Sequence, residues 1–249
     1  MIGRLVLAAL IAGMAAGFIY GGVQHVRTTP LILAAEVYET AEPAAHDHGA
    51  AAAQTTDTTA APVETVPTTP AQEPEAEEWA PADGWPRTFS TTLASIITGA
   101  GFAILLAGVS LLTGFPITPK NGLIWGLCGF LAVTVAPGAG LAPELPGMPA
   151  GDLLSRQVWW VATIIATGAG IFLIATRREL LWLGAAVVLI ALPHIIGAPQ
   201  PLTHETAVPA GLAASFAANT IAVSAVLWSL IGLFLGLALQ RFGKDVYAS

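Results

Sequence analysis

Residues 206–240 read TAVPAGLAASFAANTIAVSAVLWSLIGLFLGLALQ, without one charged side chain. A helix rises about 1.5 Å per residue, so about 20 apolar residues cross the roughly 30 Å hydrocarbon layer of a bilayer. This stretch exceeds one span, and Pro209 favours a helix start near Ala210. The run is apolar throughout rather than alternating, which argues against a barrel strand. Five more uncharged stretches lie upstream, over 5–24, 88–119, 121–143, 157–176 and 180–196. The expected fold is therefore an all-α integral membrane protein. It is a six-helix transmembrane bundle with helices over about 5–26, 88–112, 121–137, 157–175, 180–196 and 212–238.

Composition agrees. Of 249 residues, 55% are hydrophobic and only 10% charged, with a mean hydropathy of +0.71. A soluble domain carries about 25% charged residues. A net charge of −7 with no basic patch excludes a nucleic-acid binder. Cys128 is the single cysteine, which excludes a disulfide framework and a thiolate metal cluster. No H-E-x-x-H, G-x-S-x-G or Walker A pattern is present, so no enzyme and no built-in ATPase is expected.

Three regions follow: 1–33, the first transmembrane helix and an outer extension; 34–86, an acidic Pro/Ala/Thr-rich loop; and 87–249, a five-helix transmembrane region. Residues 34–86 hold eleven acids and seven prolines but no Lys or Arg. Such a segment cannot bury enough apolar surface to fold alone and is expected to be a largely disordered outer loop. Within it stands His46-Asp47-His48, two imidazoles around a carboxylate, a donor set that suits divalent cobalt, nickel or zinc.

Lys and Arg set the orientation. With both termini in the cytoplasm, Arg4, Lys120, Arg177, Arg178, Arg241 and Lys244 lie inside, and Arg27, Arg87 and Arg156 outside. The 34–86 loop is then periplasmic. The first span has a basic start like a signal peptide, but it is longer than an h-region and no A-x-A site follows it.

This topology places all five histidines in the outer half. His25 ends the first helix, His46 and His48 lie in the loop, and His204 precedes the last helix. His194 stands 14 residues after Leu180, about 21 Å across the membrane. An ionisable group at that depth is a functional candidate by default. The competing reading is a packed imidazole bonded to the carbonyl that Pro193 frees, that of Leu189. Glu36 follows His25 by eleven residues; a continuous helix would hold them on one face about 16 Å apart, and Pro30 is expected to break it. Glu144, Asp152, His204 and Glu205 fall at the outer mouth.

Other features read as structural. Gly13, Gly17 and Gly21, Gly122 and Gly126, and Gly232 and Gly236 are small-xxx-small faces for close helix packing. Trp79, Trp85, Trp159 and Trp160 fit an interfacial aromatic belt. Residues 94–101, ASIITGAG, echo 162–170, ATIIATGAG, and would make the second and third helices a repeat of the fourth and fifth.

Four segments resemble the CbtA cobalt transporter subunit family. They are Thr29-Pro30-Leu31-Ile32-Leu33 with Ala35-Glu36-Val37-Tyr38-Glu39; His46-Asp47-His48 with 78–84, EWAPADG; 143–150, PELPGMPA, with Asp152, Arg156 and Trp159-Trp160; and Leu192-Pro193-His194 with 197–201, GAPQP. The resemblance implies a bacterial inner-membrane protein that takes up cobalt with CbtB, a small one-helix subunit bearing histidines. The expected cargo is Co²⁺, with no permanently bound cofactor. The resemblance does not settle the metal ligands; read from the residues themselves, the expected ones are His25, His194, His46, His48, Asp47, His204, Glu36 and Glu144. Proton competition at imidazole would weaken uptake below about pH 6.5. The inner half of the helices offers no histidine or acid. The alternative is therefore a non-transporting accessory protein that captures metal for a separate permease.

Overall fold

The computed structural model describes residues 2–39, 81, 82 and 84–242. Among them there are seven helices and no strand: α1 (Ile2–Arg27), α2 (Thr29–Glu39), α3 (Trp85–Thr113), α4 (Gly122–Gly138), α5 (Leu153–Thr176), α6 (Leu180–Ile196) and α7 (Ala210–Phe242). Helices dominate because in lipid each backbone N–H must find its carbonyl within its own segment. Their ends carry the punctuation of the sequence. Gly114 (φ 73°) closes α3 in the left-handed region, and Gly197 (φ 90°) stands just past α6. Pro86 sits in the first turn of α3, where a missing N–H costs nothing.

Four helices, α1, α3, α5 and α7, are long and apolar enough to cross a membrane. The expected count of six spans is not established. α4 and α6 fall in the 10–17-residue class, and a helix of that length reaches about 26 Å at most, short of the hydrocarbon thickness.

α2 has no counterpart in the expected set. Pro30 does end α1, with a turn at Thr28, but it then occupies the first turn of a new helix. The sequence reading puts residues 34–39 in the loop; the structure carries α2 through to Glu39. The helix is held by a small apolar cluster in which Ala35 packs with Leu145, Val208 and Phe216.

The most extensive contacts link α3 to α1, α1 to α7, α7 to α4, and α5 to α6, with the middle turn of α4 against α5. Two glycine seams set the close approaches. A Cβ at Gly13 would collide with the Gly99 carbonyl, and one at Gly17 with the Ser95 carbonyl. Likewise Gly122 meets Gly232, and Gly126 the Trp228 carbonyl. Only small residues let backbones come this near. In both seams one number rises as the other falls, so neighbouring helices run antiparallel.

The proposed repeat is not matched by the packing. α5 and α6 form a hairpin, with Gly170 against Ala186 and Ile190, whereas α3 packs on α1 and touches α4 only lightly.

Candidate cation site at the polar end

Antiparallel packing brings the end of α1, α2, the start of α3, the end of α4, the start of α5, the end of α6 and the start of α7 to one end of the molecule. His25, His194 and His204 all lie there, with Glu36, Glu144, Asp152 and Glu205. At the opposite end stand Arg4, Lys120, Arg177, Arg178 and Arg241. His46, Asp47 and His48 lie outside the described residues.

His25 is exposed on the last turn of α1. It lines a cavity of about 210 Å³ with Gly21, Thr29, Leu33, Arg87 and the hydroxyl-bearing start of α3. Glu36, presented by α2, is the ion-pair partner of Arg87: Nη1 donates to Oε2 at 3.2 Å and Nη2 to Oε1. The bonds are charge-assisted and two-pronged, and they hold the α2 cap on the start of α3. Below them, Ser95 donates to Gln24 Oε1 at 2.8 Å, and Gln24 Nε2 donates to the Tyr20 hydroxyl at 3.0 Å. Arg27 Nε reaches Asn219 Oδ1 of α7 at 3.1 Å.

Glu144, in the loop after α4, accepts from Arg156 Nη2 at 2.7 Å. Both line a second cavity of about 400 Å³ that includes Thr134, Gln157, Trp160 and Ile221. One wall is irregular. Residues Leu131–Val135 of α4 form a π-turn, in which the Ala136 amide bonds the Leu131 carbonyl five residues back. Pro137 follows directly and has no amide hydrogen to give.

His194 does not bond the carbonyl that Pro193 frees. It is exposed, with its ring edge-on to Trp159 at a centroid distance of 5.8 Å. Trp159, expected in an interfacial belt, is instead buried on α5. Its Nε1 donates to the Pro193 carbonyl at 3.0 Å and its ring lies against Gly140. His204 and Glu205 are exposed in the loop before α7. Asp152 caps α5, accepting from the Ser155 amide at 2.9 Å and its hydroxyl at 2.6 Å. These Ser155 bonds hold the Asp152 carboxyl below the usual carboxylate range. The geometry assigns Asp152 to the helix start rather than to a cation.

α6, which bears His194, packs chiefly on α5, while α1, which bears His25, packs on α3 and α7. Among the described residues no three His, Cys, Asp or Glu side chains gather as a metal cluster. Sequence reasoning missed Arg87 and Arg156 as partners of the two acids. Three arginines on the acid-rich side were the available signal, read only as topology. The π-turn had a fainter one, Pro137 inside an apolar run.

With four helices long and apolar enough to cross a membrane, and with His25, His194, His204 and two paired acids at one end, the chain is of the class of multi-pass helical membrane proteins. The family can be stated: the model of the probable cobalt transporter subunit, CbtA, matches residues 2–240, and the chain belongs to that family. No curated protein and no solved structure matches the chain.

Proposed function

We propose that this chain is the capturing subunit of a divalent-cation uptake system for cobalt in the bacterial inner membrane, with its polar end outward. The observation that carries the reading is the gathering of His25, His194, His204, Glu36 and Glu144 at one end, opposite the Lys and Arg cluster. An excess of Lys and Arg marks the cytoplasmic side. The 34–86 segment, with its eleven acids, raises local cation concentration, and His46, Asp47 and His48 catch the ion transiently. The ion then passes Glu144, His204 and Glu205 to reach His25 and His194, each offering one imidazole. Isolated imidazoles and single carboxylates bind weakly, which suits release.

Onward passage needs ligands, and among the described residues the inner halves of the helices carry no histidine or acid. A companion subunit, small and histidine-bearing in the manner of CbtB, supplies them in this reading. The same lack supports a second reading, an accessory protein that captures metal and hands it to a separate permease. Uptake of radioactive cobalt into cells expressing the chain with and without the companion separates the two. Uptake that needs the pair and nothing else supports the first; uptake only when a further permease is present supports the second.

A further inference from the structure

We propose that the turn between α5 and α6 docks an acidic glycerophospholipid. The guanidinium groups of Arg177 and Arg178 hold its phosphate, and its acyl chains lie against Leu180 and Leu181 in the first turn of α6. The inference goes beyond the transport reading and does not depend on it.

Three observations converge on this turn. The first is a contrast between the two ends of the molecule. At the polar end each arginine has a partner within the chain: Arg27 donates to Asn219, Arg87 to Glu36 and Arg156 to Glu144. At the opposite end Arg177 and Arg178 are exposed, and among the described residues no acid bonds either of them. Glu179 follows them at the start of α6 and does not bond them. Two guanidinium forks left without an acid match the oxygens of a phosphate. Two cations against one acid leave the turn positive, so it favours a headgroup without a cation of its own.

The second observation is aim. The Arg177 guanidinium lies over the Trp182 ring, 5.5 Å from its centroid. The contact folds Arg177 from the end of α5 onto the first turn of α6. Tryptophan itself favours the headgroup level of a bilayer.

The third is how little protein covers α6. Leu180 and Leu181 are 81% and 79% exposed, and the helix buries only Ala186 and Pro193. It packs chiefly on α5. Its 17 residues reach about 26 Å, short of the hydrocarbon layer, and flanking Arg and Trp side chains bridge such a mismatch to the headgroups. A general excess of basic residues attracts acidic lipid loosely. A ring-braced arginine pair beside bare leucines holds one molecule in place.

The experiment uses the full chain in phosphatidylcholine nanodiscs doped with lipid whose brominated acyl chains quench any tryptophan they touch. Trp182→Phe keeps a ring under Arg177, and the difference from the unsubstituted chain isolates the Trp182 signal. Brominated phosphatidylglycerol is expected to quench Trp182 half-maximally at about a tenfold lower mole fraction than brominated phosphatidylcholine, the scale of one or two basic residues at an acidic lipid surface. R177Q/R178Q should bring that ratio to about one. R177K/R178K keeps charge and topology but loses the forks; it should bring the ratio to about threefold or less, and it decides the matter if the glutamine pair does not fold. A ratio near one for the unsubstituted chain would overturn the inference. So would a lysine pair that keeps a larger ratio, since diffuse charge would then suffice. Inorganic phosphate that removes the preference would assign the arginines to a soluble anion, and quenching lost on adding the companion subunit would give the face to a protein; either result overturns the inference. Cobalt uptake is measured separately, so each of these failures leaves the transport reading standing.

Discussion

The two sides of this molecule are packed by different rules. Where α1 meets α3 and α7, backbone faces backbone: Ala8, Ala9, Ala12 and Ala16 are buried between glycines, and the interior is filled by Trp228, Ile231 and Leu235. Where α4 meets α5 and α5 meets α6, the ladder is interrupted by a π-turn and two prolines, a cavity of about 400 Å³ opens, and α6 buries only Ala186 and Pro193. A scaffold and an adjustable part have been built from almost the same alphabet of apolar residues. The difference teaches that rigidity in this chain comes from small residues, and adaptability from broken hydrogen-bond ladders.

The largest expected effect breaks the first side. Gly13→Leu or Gly17→Leu forces a side chain into the facing backbone of Gly99 or Ser95. Overpacking of this kind costs about 1–3 kcal/mol or more, and no flexible side chain is there to yield. Folded protein in detergent should fall sharply, read by size-exclusion yield and melting temperature. The control sharpens the comparison: Gly168 and Gly184, on α5 and α6, face open space, so Gly→Ala there should leave the yield unchanged or raised.

How much of this was legible beforehand differs between the two sides in the same way. The glycine faces at 13/17, 122/126 and 232/236 were readable as packing seams because small residues at four-residue spacing have one dominant use in lipid. The acid–arginine pairs were not, since Glu36 and Arg87 lie 51 positions apart and Glu144 and Arg156 belong to different elements. Loop closure over such separations leaves no local pattern. α2 was hidden for another reason: Pro30 ends one helix and begins the next, and a proline alone does not say which. Trp159 carried the signal of an interfacial aromatic, and only its contacts with Pro193 and Gly140 reveal an anchor.

A middle-sized effect probes the second side. Trp159→Phe removes the bond to the Pro193 carbonyl and is expected to cost about 1 kcal/mol, while loosening the end of α6 that carries His194. Hydrogen exchange over α6 should rise while exchange over α1 and α3 stays level. Equal change on both sides would erase the contrast drawn above.

Smaller still is a pH effect. Asp152 has its carboxyl lowered by the Ser155 bonds, so its cap contributes above the ordinary aspartate range and is lost as pH falls through the depressed value. Melting temperature of the unsubstituted chain should therefore drop slightly more than that of Asp152→Asn in strongly acidic buffer. Equal slopes would show that the cap does not titrate.

Orientation underlies the functional account. A cysteine introduced as Ala60→Cys should react with a membrane-impermeant maleimide in intact spheroplasts; protection there would turn the polar end inward.

The most direct test of cation capture at the polar end is the initial rate of radioactive cobalt uptake into cells expressing the full chain with its companion subunit. The comparison is between the unsubstituted chain and the double variant H25A/H194A, matched for folded protein at the membrane. The account predicts a fall of about tenfold or more at scarce cobalt, since losing even a partner that only supports a metal ligand costs about 10–100-fold. An unchanged rate would contradict it.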